Sequence, residues 1–362
     1  MNTYIRQYTK KELVEDTGRI SWTSPSNIAL IKYWGKFGDQ QPCNPSISLT
    51  LSKSITTMDF SWSIKDAPKD EIVLDFYFDN KKNELFEQKI RNFLEKNFEL
   101  FPFLKYLSLE IESINSFPHS AGIASSASSM SALALGLCSI EDQAFDLNTD
   151  TKELLEKATF VARLASGSAS RSVYPGIVSW GETDLDSISS TNLIAAEVHG
   201  IADVFKTYKD SIVIVDGGEK SVSSRAGHAL MKEHPFREVR FEHAHQQLEE
   251  IISVMRAGDV EKFCEIVESE ALELHGLMMN STPSYTLMRP NTLAVIEKIR
   301  AFRKESGLPL CFTLDAGPNV HILYPDSISN EVRSFIDSEV SQFAEGGLVI
   351  HDEVGAGPER FL

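Results

Sequence analysis

"FPHSAGIASSASSMSALALG" (residues 117–136) is dense in serine, alanine and glycine before its second half turns apolar. Side chains this small let a backbone come close to a partner, and that partner is either another element of the fold or a phosphate. A Ser/Ala-rich helix packed on a sheet would need the same residues. Three features favour the anion. Pro118 and Gly122 stand before the helical part, where they shape a loop. Ser125, Ser126 and Ser128 cluster at the predicted helix N-terminus, where free N–H groups and the positive end of the dipole attract phosphate. The alternating run "YLSLEIES" (106–113) leads in as a strand. The stretch is not a Walker A loop, because G-x-x-x-x-G-K-[ST] does not occur.

The rest of the chain sets the bounds. At 362 residues it buries a sizeable core, with room for two lobes or one large α/β unit. A hydrophobic content of 42% excludes disorder. No apolar run approaches the ~18 residues of a membrane helix, and "MNTYIRQYTKKELVEDTGRI" (1–20) has no apolar leader core, so no membrane association is expected. Cys43, Cys138, Cys264 and Cys311 lack CxxC spacing, which fits reduced thiols in a cytoplasm. A net charge of −17 argues against nucleic-acid binding. An anionic substrate would then need a local cluster of Lys and Arg.

Helical and strand signals interleave. "ITTMDFSWSI" (55–64) and "EIVLDFYF" (71–78) are β-rich, flank a turn and suggest a hairpin. Residues 81–98 switch to helical spacing, and 151–166 read as a helix capped by Asp150 or Thr151. The polar loop near 182–192 marks a lobe boundary, dividing the chain into 1–188 and 189–362. "SIVIVDGG" (211–218) is a short buried strand. Helices over about 239–257 and 259–275 meet at Gly258-Asp259, and 310–325 is strand–turn–strand. His243 and His245, two apart on a helix, make a poor metal pair.

Further stretches narrow the reading. "PHSAGIASSAS" resembles the phosphate loop of the GHMP kinase superfamily. "SPSNIALIKYWGK" (24–36) with "NPSISLTLS" (44–52), "SGSASRSVYPG" (166–176) and "TLDAGPNV" (313–320) are similar, in the same order, to the diphosphomevalonate decarboxylase family. The resemblance runs from about residue 21 to the C-terminal "VIHDEVGAGPERF". It implies an α/β (α+β) GHMP kinase fold, with a ribosomal protein S5 domain 2-like N-terminal lobe, a ferredoxin-like C-terminal lobe and the site between them. It also implies ATP and Mg²⁺ as cofactors, mevalonate 5-diphosphate as substrate and a homodimer.

The resemblance distributes the chemistry. Asp315 is the group at the substrate's 3-hydroxyl; on sequence alone an Asp before Ala-Gly-Pro is equally a turn former. Arg171 is the cation for the carboxylate, because guanidinium makes a planar bidentate match. Its neighbours Ser166, Gly167, Ser168, Ala169 and Ser170 line the substrate side. Tyr33, Trp34, Gly35 and Lys36 contact the phosphorylated substrate, and Lys36 joins Asp315 and Arg171 as catalytic. Lys32 is a further substrate-side cation, although a lysine ending a buried strand ordinarily snorkels to water. Pro118, Ala121, Gly122, Ala124, Ser125, Ser126 and Ser128 form the ATP loop, with Ser126 also a Mg²⁺ ligand. Ser224 and Arg225, in "KSVSSRAGH" (220–228), form a second substrate-side loop.

One position departs from the family pattern. Where many members place an arginine near the 5-diphosphate, "KDEIVLDF" (69–76) offers Asp70 and Glu71 with Lys69 alone nearby. A 5-monophosphate substrate, or recruitment of Arg225 or another lysine, stays open. So do a GHMP kinase that phosphorylates without decarboxylating and a non-catalytic ATP sensor.

Overall fold

The structure, a computed structural model, describes residues 2–68, 70–118, 125–218 and 222–361. The chain opens with a long strand, β1 (Thr17–Ile31), a small ribbon of β2 (Lys36–Phe37) and β3 (Gln41–Pro42), and a second long strand, β4 (Ser46–Ile64). Pro25 sits in β1 where the register against β4 shifts, a place a proline tolerates because the ladder is already interrupted. β5 (Leu74–Phe78) and β6 (Lys81–Lys82) lead into α1 (Glu84–Lys96), capped by the Asn83 side chain. β7 (Leu107–Asn115) alternates buried and exposed residues and precedes α2 (Ser125–Ala144) and α3 (Thr151–Ala165). The Asp150 side chain accepts from the N–H of Glu153 and caps α3, as the sequence suggests.

The predicted hairpin of 55–64 with 71–78 does not form. The second half of β4 pairs β1 on one side and β7 on the other, and β5 lies parallel to β7. Leu107, Leu109 and Ile111 of β7 bury into the same core as Phe60 and Phe76, so the later strand takes the position between the two earlier ones.

Beyond α3 come a 3₁₀ segment (Gly167–Val173), β8 (Ile177–Trp180), β9 (Ala195–Glu197), α4 (Asp203–Lys206) and β10 (Lys209–Val213). β10 is shorter than the 211–218 run because Ile214 leaves the ladder to bond Leu348 and Glu345. α5 (Ser224–Leu230) is followed by α6 (Arg237–Ala257) and α7 (Val260–Met279), with left-handed Gly258 ending α6 and the Asp259 side chain capping α7. α8 (Pro290–Ser306), β11 (Cys311–Leu314), β12 (Val320–Tyr324), α9 (Ser329–Phe335), β13 (Val349–Glu353) and β14 (Glu359–Arg360) complete the chain.

Two main sheets result. The first runs β14-β1-β4-β7-β5-β6, with β8 and β9 beside β4; the second runs β11-β12-β10-β13. β9 and β14 lie beyond residue 188 yet join the first sheet. The packing reading of the opening stretch holds for α2. Its small residues let it lie close to the sheet: a Cβ at Gly136 would stand 2.2 Å from the Phe60 ring. Ile28, Leu30, Ile47 and Leu49 pack against Ile212, Leu248, Phe263 and Leu323, a core that joins the two sheets. Among the described residues no helix is long and apolar enough to cross a membrane, and all four cysteines are free thiols.

Candidate active site

β1 stops at Ile31, so the peptide groups of Lys32 lie beyond the ladder and find other partners. The Lys32 N–H donates to Glu270 Oε2 at 2.9 Å. Its carbonyl accepts from Asn44 Nδ2 at 3.0 Å and from the Arg240 guanidinium at 2.6 Å. Asn44 Oδ1 also takes the N–H of Trp34 at 3.2 Å. Gly35 has φ +113°, and a Cβ there would crowd Phe241 and Cys43, so only glycine turns the chain here without strain. Its N–H donates to His228 Nδ1 at 3.0 Å, and burial holds that imidazole well below its usual pKa, in the neutral form able to accept.

The Lys32 side chain does not snorkel. It is 3% exposed, and its Nζ lies 3.1 Å from Asp315 Oδ1. Burial lowers the lysine pKa, and the Asp315 charge opposes that shift. Lys36 is half-buried, bonds Gln40 at 2.7 Å and stands 5.6 Å over the Tyr33 ring. Asp315 sits in the loop between β11 and β12, its carboxylate 30% exposed while its carbonyl meets His275 Nε2 at 3.0 Å.

Arg171 lies in the 3₁₀ segment and is 2% exposed. Its guanidinium donates to Ser46 Oγ at 2.7 Å, Ser48 Oγ at 3.0 Å and Asn27 Oδ1 at 3.3 Å. It also stands 5.5 Å from the Tyr33 ring. Three neutral acceptors orient it without neutralising it, and no carboxylate forms an ion pair with it among the described residues. Burial therefore pulls its pKa down. Tyr33 stacks on His228 and meets Trp180 edge-on, each at 4.8 Å. Trp34 packs against His228 from 4.4 Å. Gly167 is placed so close to Trp180 and the Tyr33 hydroxyl that a Cβ would collide. Ala169 and Ser170 face inward, the Ser170 hydroxyl bonding the Gly167 carbonyl, whereas Ser166 and Ser168 stay partly exposed.

At the α2 end, Ala121, Gly122 and Ala124, with His119, lie outside the described residues. Pro118 and Ser126 are exposed, and Ser125 is half-buried. Ser128 is fully buried and bonds Thr56 at 2.7 Å, tying the helix to β4. An exposed hydroxyl on the first turn of a 20-residue helix is a donor set suited to a phosphate or to Mg²⁺. Ser126→Ala is expected to raise KM or lower kcat for Mg-ATP while leaving the second substrate's KM unchanged. The reverse pattern in steady-state kinetics would assign this end of the helix to the other ligand.

Ser224 and Arg225 are exposed on α5, whose first turn is capped by Ser223. Lys69 and Lys220 lie outside the described residues. Asp70 pairs with Lys105 at 3.2 Å. His243 contacts Glu273 at 2.7 Å, and with Glu270 these groups lie within 4.8 Å of one another. Arg240 already bonds both carboxylates, which accounts for their convergence without a metal.

Residues 24–191 match the diphosphomevalonate decarboxylase-like N-terminal domain, and 211–359 match the mevalonate 5-diphosphate decarboxylase C-terminal domain. The diphosphomevalonate decarboxylase of Ganoderma lucidum is 30% identical over 336 residues, covering 87% of this chain and 80% of the relative. The chain belongs to the diphosphomevalonate decarboxylase family. The human diphosphomevalonate decarboxylase is 27% identical, covering 90% of this chain and 81% of its own. The Staphylococcus aureus mevalonate diphosphate decarboxylase structure superposes with a TM-score of 0.81 at 27% identity, over 97% of this chain and all of that one. A complex of MDDEF with MVAPP, AMPPCP and magnesium gives 0.80 at 27% identity, over 95% and 99% of the two chains. These matches establish the GHMP-type α/β fold of the family.

Membership of the family does not by itself expose the supports of the site. Asn27, Asn44, Ser46 and Ser48 lie inside the two N-terminal motifs, but as polar residues in strand-like runs they carry no mark of their role. Arg240 and Glu270 lie on helices whose charges read as solvated, and both are buried.

Proposed function

We propose that the protein catalyses ATP-dependent decarboxylation of mevalonate 5-diphosphate, giving isopentenyl diphosphate, CO₂, ADP and phosphate for isoprenoid synthesis. The observation that carries this reading is the Lys32–Asp315 pair, 3.1 Å apart, within electrostatic reach of Arg171, a buried guanidinium held by three neutral acceptors and in no ion pair among the described residues. The names of the relatives and the ligands of the MDDEF complex support it.

The substrate's carboxylate has no β-carbonyl to receive electrons, and hydroxide leaves a tertiary carbon poorly. Mg-ATP, when bound, supplies the phosphoryl group that makes the 3-oxygen a good leaving group. Asp315 accepts the hydrogen bond of the 3-hydroxyl and takes its proton, and Lys32 keeps that carboxylate ionised and oriented. Arg171 holds the substrate carboxylate in its planar fork. As the 3-phosphate departs, the C–C bond to the carboxylate breaks, its electron pair forms the alkene, and CO₂ is released. Lys36 and Arg225 meet the tail phosphates, and Ser126 serves the nucleotide end with Mg²⁺. The same reading carries a homodimer in the cytoplasm, for which sedimentation equilibrium should return twice the chain mass.

The tail is the element to test. Losing a bidentate arginine costs about 1.5–3 kcal/mol, or roughly ten- to a hundred-fold in affinity. Lys69 and Arg225 are the candidates to compensate. We expect kcat/KM for mevalonate 5-diphosphate to exceed that for the 5-monophosphate, and Arg225→Ala to narrow the difference. Equal or faster decarboxylation of the monophosphate would reject the diphosphate assignment.

A further inference from the structure

Arg240 and Glu270 are 3% and 0% exposed, and they form a bidentate ion pair between α6 and α7 with distances of 2.6 and 2.7 Å. Taking two such charges out of water costs several kcal/mol per ion, and a well-packed apolar pair is often at least as stable. Their placement therefore calls for a reason beyond stability. Glu270 Oε2, which accepts from Arg240, also accepts the N–H of Lys32, and the same Arg240 nitrogen donates to the carbonyl of Lys32. One ion pair thus grips both peptide groups of the residue at which β1 ends. Arg240 is itself steadied by Glu273 at 2.9 Å, and Glu273 by His243.

We infer that the Arg240–Glu270 pair is a positioning device for the reaction: it fixes the Lys32 backbone so that the Lys32 ammonium stands against Asp315. The inference rests on the decarboxylase reading for its catalytic consequence and on geometry for the rest. Charge-assisted bonds hold a peptide more stiffly than neutral ones, and a shift of about 1 Å at a reacting group costs about 10²-fold in rate. The groups facing Lys32 are Asp315, Glu270 and Arg240, with Arg171 opposing its charge. Glu270 favours the protonated lysine, so its loss lets Lys32 give up its proton at lower pH.

Glu270→Gln keeps the shape and an acceptor for the Lys32 N–H. It should lower kcat by about 10²-fold with KM for ATP unchanged, and move the alkaline limb of the kcat–pH profile to lower pH. A readout independent of turnover is NMR of the ligand-free protein labelled with carbon-13 at lysine Cε, with the Lys32 signal assigned by its loss in Lys32→Met. The Lys32 midpoint should fall in Glu270→Gln. The double variant Arg240→Met with Glu270→Met removes both charges together with both bonds to the Lys32 peptide; it should fold with a lowered melting temperature from the unpaired Lys32 N–H, and should lose turnover comparably. A folded double variant with wild-type kcat, or an unmoved Lys32 midpoint in Glu270→Gln, overturns the inference. If the wild-type protein releases no CO₂, the decarboxylase reading fails and the NMR comparison still decides the positioning. If Glu270→Gln does not fold, the double variant decides it.

Discussion

Asp315→Asn should leave the fold and Mg-ATP binding intact and reduce kcat by about 10³-fold, within the range for removing a positioned acid–base group. The amide reproduces the outline of the carboxylate but neither its charge nor its second acceptor. The substitution also removes the counter-ion 3.1 Å from Lys32 Nζ. Breaking a buried pair is ordinarily severe, but the Asp315 side chain is 30% exposed, and the Glu270 carboxylate still acts on the Lys32 ammonium. The loss should therefore appear in turnover much more than in melting temperature. Calorimetric ATP affinity and single-turnover CO₂ release separate the two effects. Wild-type kcat in this variant would remove Asp315 from the chemistry.

Arg171→Lys should lower kcat/KM for the phosphorylated substrate by about 10²-fold, from the loss of charge-assisted bonds worth about 1.5–3 kcal/mol to the substrate together with misplacement of the remaining charge. Ser46, Ser48 and Asn27 surround a planar fork, and an ammonium cannot reach all three while also meeting a carboxylate. The change should fall on the decarboxylation step and on substrate KM, with KM for ATP unchanged. If Arg171→Lys alters ATP parameters alone, the guanidinium serves the nucleotide rather than the carboxylate.

The local patterns were legible where a side chain's task is local. Asp150 caps the helix that follows it, Gly258-Asp259 divides α6 from α7, and the small residues of α2 mark a packed face. Pairing across the sheet was not legible. The runs at 55–64 and 71–78 have the composition of a hairpin, and only the burial demand of β7 places a third strand between them. The site divides in the same way. Arg171 and Asp315 stand out through their motif context. Lys32 does not, because a lysine after "IALI" looks the same whether it snorkels or turns inward to a carboxylate 283 residues away. Arg240 and Glu270 are harder still. Helical periodicity places them among charges on α6 and α7, and their burial depends on the end of β1 arriving between those helices.

On the proposed mechanism, phosphorylation and carbon–carbon cleavage occur at one site, with Asp315 and Lys32 at the hydroxyl and Arg171 at the carboxylate. The most direct test incubates the protein with Mg-ATP and carboxyl-labelled mevalonate 5-diphosphate, and measures ADP, labelled CO₂ and isopentenyl diphosphate in the same reaction. All three are expected in a 1:1:1 ratio; ADP without CO₂ would make the protein a kinase and contradict the decarboxylase mechanism.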